Sequence, residues 1–274
     1  MPEPIVRMLV GIVAAGLIAA LAHRVRFLST SGAWATFALG ALVFGTGGVA
    51  WSVPLITFFI LSSLLSRFGP RRKRMMAQRL ERVFEKGSTR DAGQVAANGG
   101  VAGVIALANL IVPDPIWFPA YLGALAAAAA DTWGTEIGVL ATGRTISIAG
   151  FRVVEPGSSG GISLPGTLGA FAGACSVALA GMPWEGLPLR ALLIVPAAGM
   201  IGMLADSLAG AILQARYRCG TCGIVTEQRT HCGSTPTLAA GRAWITNDVV
   251  NLLCCAVGAL AAALSFLLPG LRAR

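Results

Sequence analysis

The sequence predicts an all-α fold, a polytopic bundle of transmembrane helices forming one integral-membrane domain over residues 1–274. Three observations carry that prediction. The chain is 55% hydrophobic and only 12% charged, with mean hydropathy +0.73, so it has too little polar residue to cover a water-facing globule. Apolar runs long enough to cross about 30 Å of hydrocarbon, roughly 20 helical residues each, recur along the whole chain, which excludes one cleaved leader before a soluble domain. The basic residues alternate between successive connections in the way that orients membrane helices.

Taken in order, the apolar runs give about eight spans, at residues 5–22, 33–50, 52–66, 95–112, 117–140, 162–181, 189–213 and 244–268. The third is short, and a seven-span count would merge it with the second. Charge favours eight. With both termini on the outer side, 17 of the 21 Lys and Arg residues fall in inner loops, leaving Arg7, Arg190, Arg272 and Arg274 outside. Merging spans would place the first basic loop on the wrong face. The net charge of +9 therefore reflects topology and anionic membrane lipids, and no nucleic-acid partner is expected. The expected location is a bacterial or archaeal plasma membrane, with the functional residues on the cytoplasmic side.

The longest polar stretch, residues 67–94, is basic. Met75, Met76, Leu80, Val83 and Phe84 recur there at near-helical spacing among the charges, which predicts an amphipathic segment on the inner membrane surface. Its cations serve either as an anionic-lipid anchor or, through Lys73 or an arginine, as phosphate ligands.

The fifth span reads AAAAADTWGTEIGVL and places Asp131 and Glu136 in an otherwise lipid-soluble helix. A carboxylate near mid-bilayer costs at least about 2.5–3.5 kcal/mol, so such residues face the bundle interior and mark function. The two acids are about 140° apart on an ideal helix and share a face only if the helix distorts near Gly134. The seventh span repeats the pattern in GMLADSLAGAILQ, where Asp206, Gly210 and Gln214 line one face. The eighth begins WITNDVVNLL, with Asn247 and Asn251 on one face and Asp248 beside them; the fourth begins QVAANGG and adds Asn98. Four spans thus bring carboxylates and amides to one layer, the pattern expected of oxygen ligands around a hard cation, Mg²⁺ bridging phosphates above all. The alternative for each acid is a hydrogen-bonded helix-packing role. A short echo, AlaAspThrTrp at 130–133 and AlaAspSerLeu at 205–208, links the fifth and seventh spans.

Two inner loops carry unusual composition. EPGSSGGISLPG at residues 155–166 leads through Gly157, Ser158, Ser159, Gly160 and Gly161 into the sixth span, and exposed N–H groups beside a helix N-terminus make an anion site. It is not a Walker motif. The second, the cytoplasmic loop at 214–243, contains Cys219-x-x-Cys222 followed by His231 and Cys232, four ligand types that zinc favours, so a structural Zn²⁺ site competes with a redox pair or an unliganded loop. Cys175, Cys254 and Cys255 lie in apolar spans as small packing residues.

GQVAANGG (93–100), ADTWGTEIG (130–138), GSSGGISLPGTLGA (157–170), ADSLAGAILQ (205–214) and NDVVN (247–251), in that order, resemble an integral-membrane family long catalogued as a domain of unknown function (DUF92), whose plant member is the phytyl-phosphate kinase of vitamin E synthesis. The resemblance implies a Mg²⁺-dependent phosphotransferase. It would move a phosphoryl group from a nucleoside triphosphate, CTP, to an isoprenoid (phytyl-like) monophosphate and give the diphosphate. It further implies that Asp131, Glu136, Asp206 and Asp248 hold one or two Mg²⁺ ions, that Asn98, Asn247 and Asn251 fix them or the nucleotide, and that Arg152 and the 157–161 loop cradle phosphates. An acceptor phosphate is already ionised near neutral pH, so alignment and charge neutralisation matter more than a general base.

Two other functions compete. A CTP-dependent lipid cytidylyltransferase would use the same acids and release pyrophosphate. An ion-coupled transporter would also bury acids in its spans, but it needs them reachable from both sides, and the outer connections near 113–116 and 182–188 are short and hold few titratable groups.

Overall fold

The computed structural model describes residues 4–67, 89–140 and 143–267. Among these the chain forms seven helices: α1 Pro4–Arg24, α2 Thr30–Arg67, α3 Ala92–Ile111, α4 Trp117–Gly138, α5 Leu164–Gly181, α6 Ala191–Ile212 and α7 Asn247–Leu267. All but α4 are long and apolar enough to cross a membrane. Their outward faces carry large apolar residues such as Leu9, Leu17, Val104, Leu193 and Leu260, as a lipid-facing surface requires. Residues 68–88 of the predicted basic segment, Lys73 among them, lie outside the described residues.

Although α2 is continuous over 38 residues, it is not one rod. A straight helix of that length would reach about 57 Å. Instead the Arg67 guanidinium donates to the carbonyl of Val25 and sits 5.3 Å from the Phe27 ring centre, three residues before α2 begins. The two ends of α2 are therefore neighbours, and the helix doubles back at Gly48, whose φ of 63° and ψ of −150° suit only glycine. The reversal falls at Gly48 rather than between residues 50 and 52, where the apolar pattern placed it. Arg7 Nε donates to Gly45 O at 3.0 Å and ties the first turns of α1 to this reversal.

The opposite end of the bundle gathers the longer connections. Leu28 and Arg90 form an isolated bridge, with Ser29 N donating to Arg90 O at 3.0 Å and Arg90 N to Phe27 O at 3.0 Å. From there α3 starts with a capping box. Asp91 accepts from Gln94 N at 2.9 Å while the Gln94 side chain accepts from Asp91 N at 3.3 Å. Ser163 caps α5 with its side chain alone, accepting from Gly166 N.

The core is built around α4, in which every residue from Phe118 to Ala130 is buried. Its Ala-rich run explains both that burial and its modest hydropathy, because helices pack closely in lipid only where small side chains meet. Around Gly123 the space is filled by the backbone of Gly258 and by Ala262 on α7, so a Cβ there has no room. Near its N-terminal end, Trp51, Phe118 and Tyr121 cluster, and the Tyr121 hydroxyl donates to Trp51 O at 2.5 Å.

The two loops of unusual composition are not irregular, as composition had suggested. Each folds into a small antiparallel sheet: β1 Thr145–Ser147, β2 Val153–Val154 and β3 Gly161–Ile162 in the order β2-β1-β3, then β4 Arg216–Arg218, β5 Val225–Thr226 and β6 Thr237–Ala240 in the order β5-β4-β6. Strands of two to four residues lie below what periodicity can reveal. The fold is thus a helical bundle carrying two sheet-forming loops at one end.

Candidate functional site

The centre of the site follows from helix packing. On α6, Gly202 sits against Ala127 of α4 and the backbone of Cys254 on α7, and Gly199 sits against Ala126. One helical turn beyond Ala127 is Asp131, and one turn beyond Gly202 is Asp206. Because the two helices run in the same direction and touch through small residues, their carboxyl groups meet and hydrogen-bond to each other. The echoed aspartates of the sequence are this pair.

On α7, Cys254 Sγ lies 3.6 Å from Ala127 O, and Cys254 and Cys255 are both within electrostatic reach of Asp131 and Asp206. Asp248, Asn251 and Cys255 occupy one stripe of α7 by their spacing of three and four. Asn251 is buried, at 8% exposure. Asn247, four residues before Asn251, heads the same face at the helix start. These α7 residues therefore approach the aspartate pair from the loop-bearing end.

A third carboxylate comes from a residue the sequence did not single out. Glu227, 7% exposed, accepts from Ser159 Oγ at 2.7 Å and acts electrostatically on Asp206. Its only sequence signal is an acid in CGIVTEQRT, unremarkable without the fold. The contact joins the two loops, since Ser159 lies in the Gly/Ser turn and Glu227 in the Cys-containing loop. Gly160, at φ 75°, lies directly against Ser207 O and Ala211 of α6, one turn past Asp206. Gly157, at φ 89°, and exposed Ser158 form the outer part of this turn, where Ser158 N donates to Glu155 O at 3.1 Å and Gly161 N to Ser158 O at 2.9 Å.

The groups acting on Asp206 are thus Asp131 and Glu227, both acidic, and the Oδ2 of Asp206 is buried with no hydrogen-bond partner among the described residues. Converging carboxylates with an unsatisfied oxygen fit a hard divalent cation such as Mg²⁺, which takes oxygen ligands and offsets their repulsion.

Other predicted members sit elsewhere. Glu136 does not join the aspartate pair, because α4 stays helical through Gly134 and the 140° offset persists. It faces Arg90 instead. The Arg90 guanidinium lies 5.5 Å from the Phe58 ring centre and 6.0 Å from that of Phe59. Burial lowers its pKa to about 10, with the charge of Glu136 opposing, so it remains a cation at neutral pH. Arg152 does not reach the site either. It is exposed at the tip of the β1–β2 hairpin, its guanidinium beside Gly150. The Asn98 amide donates to Gln94 O of its own helix at 3.1 Å, while its backbone carbonyl lies 3.6 Å from Cys255 Sγ.

Arg90, Gln94 and Asn98 also form the polar end of a cavity of about 180 Å³ between α1, α2 and α3. Its walls include Ala15, Ile18, Leu39, Phe44, Val53 and Ile56. Along α2, from Val49 to Phe59, it extends about 15 Å. Sequence patterning did not show it, since the walls look like ordinary lipid-facing residues.

The four predicted zinc ligands do come together. One ligand atom from each of Cys219, Cys222, His231 and Cys232 lies within 4.8 Å of the others. Backbone N–H of Cys222 lowers the Cys219 pKa to about 6, whereas hydrogen bonding with Cys222 pushes Cys232 up to about 11. All six cysteines are free.

Comparison with known proteins gives a consistent result. The family model for integral membrane protein DUF92 matches residues 13–259. Protein PGR of Arabidopsis thaliana is 27% identical, over 92% of this chain and 93% of its own length. An uncharacterised membrane protein of Methanocaldococcus jannaschii is 31% identical over 77% of this chain and 85% of its own length. A Synechocystis membrane protein is 23% identical over 85% and 80%. No solved structure matches.

Proposed function

The chain belongs to the DUF92 family of integral membrane proteins, and from that premise we propose that it is a Mg²⁺-dependent prenyl-phosphate kinase using CTP. The observation that carries this reading is that Asp131 and Glu227, both acids, act on Asp206, whose buried Oδ2 has no hydrogen-bond partner among the described residues. In the reaction an oxygen of the acceptor monophosphate attacks the γ-phosphorus of CTP. The bond from that phosphorus to the bridging oxygen breaks, CDP leaves with the electron pair, and the acceptor becomes a diphosphate.

Asp131 and Asp206 would hold the cation, with Glu227 closing the loop side and Asp248, Asn247 and Asn251 extending the polar stripe toward the nucleotide. What bound Mg²⁺ supplies is neutralisation of phosphate charge and in-line alignment of the two reactants. The turn at 157–161 lies over the next turn of α6, where its backbone can approach phosphate oxygens. The apolar cavity beside α3 suits an isoprenoid chain, and Arg90 at its polar end suits the acceptor phosphate. The excess of Lys and Arg in the connections at this end supports a cytoplasmic orientation for it, the side where nucleoside triphosphates are found.

Purified protein in detergent, given Mg²⁺, each nucleoside triphosphate in turn and prenyl monophosphates of several lengths, tests the reading by ³¹P NMR of the products. CDP with prenyl diphosphate is the expected outcome. Pyrophosphate with a CDP-lipid, or no turnover with any pair, overturns it.

A further inference from the structure

Outside the acidic site, the densest group of ligand-bearing side chains is in residues 214–243. The β4–β5 turn carries Cys219 and Cys222, and the connection from β5 to β6 carries His231 and Cys232. Four ligands held about 2.0–2.3 Å from one tetrahedral ion stand roughly 3.4–3.8 Å from one another. His231 Nδ1 is 3.5 Å from Cys222 Sγ and 3.3 Å from Cys232 Sγ, close to that spacing, and all four ligand atoms lie within 4.8 Å of one another.

The two turns are built alike from separate stretches of sequence. After Cys-x-x-Cys, Gly223 has φ 73°, with Gly223 N donating to Cys219 O and Cys219 N to Ile224 O, both at 2.9 Å. After His-Cys, Gly233 also has φ 73°, and His231 and Ser234 exchange backbone hydrogen bonds at 2.9 and 3.0 Å. Such paired turns point ligands inward from two directions. A three-stranded sheet of two- to four-residue strands has too small a core to hold itself, and a bound metal supplies the missing folding energy in domains of this size.

Glu227 directly follows β5, whose last residue, Thr226, is 1% exposed. We infer that Cys219, Cys222, His231 and Cys232 bind one Zn²⁺ ion, and that the metal-locked ribbon holds Glu227 at its hydrogen bond from Ser159 Oγ, 2.7 Å long, as the third carboxylate of the acidic site. The first half stands alone. The second rests on the reading of that site as a divalent-cation site.

Full-length protein purified without chelator is assayed for metal by mass spectrometry and by Zn K-edge absorption. One zinc per chain, with three sulfur neighbours at about 2.3 Å and one nitrogen at about 2.0–2.1 Å, is expected. Below one fifth of a zinc per chain after reconstitution with ZnCl₂, or an all-oxygen shell, overturns the site. Cys222→Ser and His231→Ala should each lose at least tenfold in zinc retention, and the absorption spectrum of the unaltered protein decides the matter if either variant misfolds. For the second half, Mn²⁺ binding read by electron paramagnetic resonance is compared in Glu227→Gln, which should keep its zinc and weaken Mn²⁺ about tenfold. Unchanged Mn²⁺ affinity in that variant overturns the positioning role while leaving the zinc site intact. Failure of the kinase assay with both metals bound would instead count against the proposed reaction.

Discussion

Asp131 and Glu136 are five residues apart on the same helix, yet they occupy opposite electrostatic settings. Asp131 meets another aspartate, which in turn feels Glu227. Glu136 acts electrostatically on the guanidinium of Arg90. One acid is held against its own kind and the other is balanced by a cation from the chain. Depth in the membrane is therefore a poor guide to role in this helix. The partner decides, because an acid that folding brings against acids costs stability unless something outside the chain neutralises it, whereas an acid beside arginine is already satisfied.

The largest effect separating the two settings should come from Asp131→Asn or Asp206→Asn. Each should lower kcat/KM for the proposed phosphoryl transfer by about 10²–10³, the scale of removing one preorganised electrostatic group, while the melting temperature without divalent cation rises. Equal activity in a folded variant would erase the distinction between the acids. Next is Gly202→Leu, aimed at the packing that makes the pair. With Ala127 and the Cys254 backbone against it, the added side chain should cost about 3 kcal/mol or more, seen as a melting temperature lower by roughly 5–10 °C. An unchanged melting temperature would mean that close helix approach does not set the pair.

Glu136→Gln should do the reverse of the aspartate variants. It leaves Arg90 without its carboxylate, so stability falls, and the KM for the prenyl phosphate shifts by about tenfold, or ~1.4 kcal/mol, while Mg²⁺ dependence is kept. A loss of Mg²⁺ affinity in this variant would restore Glu136 to the proposed metal site and collapse the comparison. The smallest effect is expected for Arg152→Ala. Its exposed guanidinium lies beside Gly150, and kcat and KM for CTP should stay within about twofold, as is usual for surface substitutions that break no specific contact.

Legibility in the sequence divides along similar lines. The membrane class, the positions of the helices and the candidacy of Asp131, Asp206, Asn251 and Asp248 were readable, because an acid or amide inside an apolar run stands out against its neighbours. The four zinc-type ligands were readable from spacing. Glu227 was not, since an acid in a polar loop carries no contrast. The helix reversal was readable as two apolar segments, but its place at Gly48 needed the backbone conformation.

By itself the sequence determined what each stretch can tolerate: which runs can sit in lipid, which residues are costly there, and where three cysteines and a histidine are closely spaced. Only the tertiary structure decided pairing. Asp131 found Asp206 through the contact of Ala127 with Gly202, Glu136 found Arg90 across the start of α3, and Glu227 found Ser159 between two loops 68 residues apart in sequence. The physical reason is that transfer cost is a property of a residue and its local run, whereas electrostatic compensation depends on which distant surface folding brings within a few ångströms.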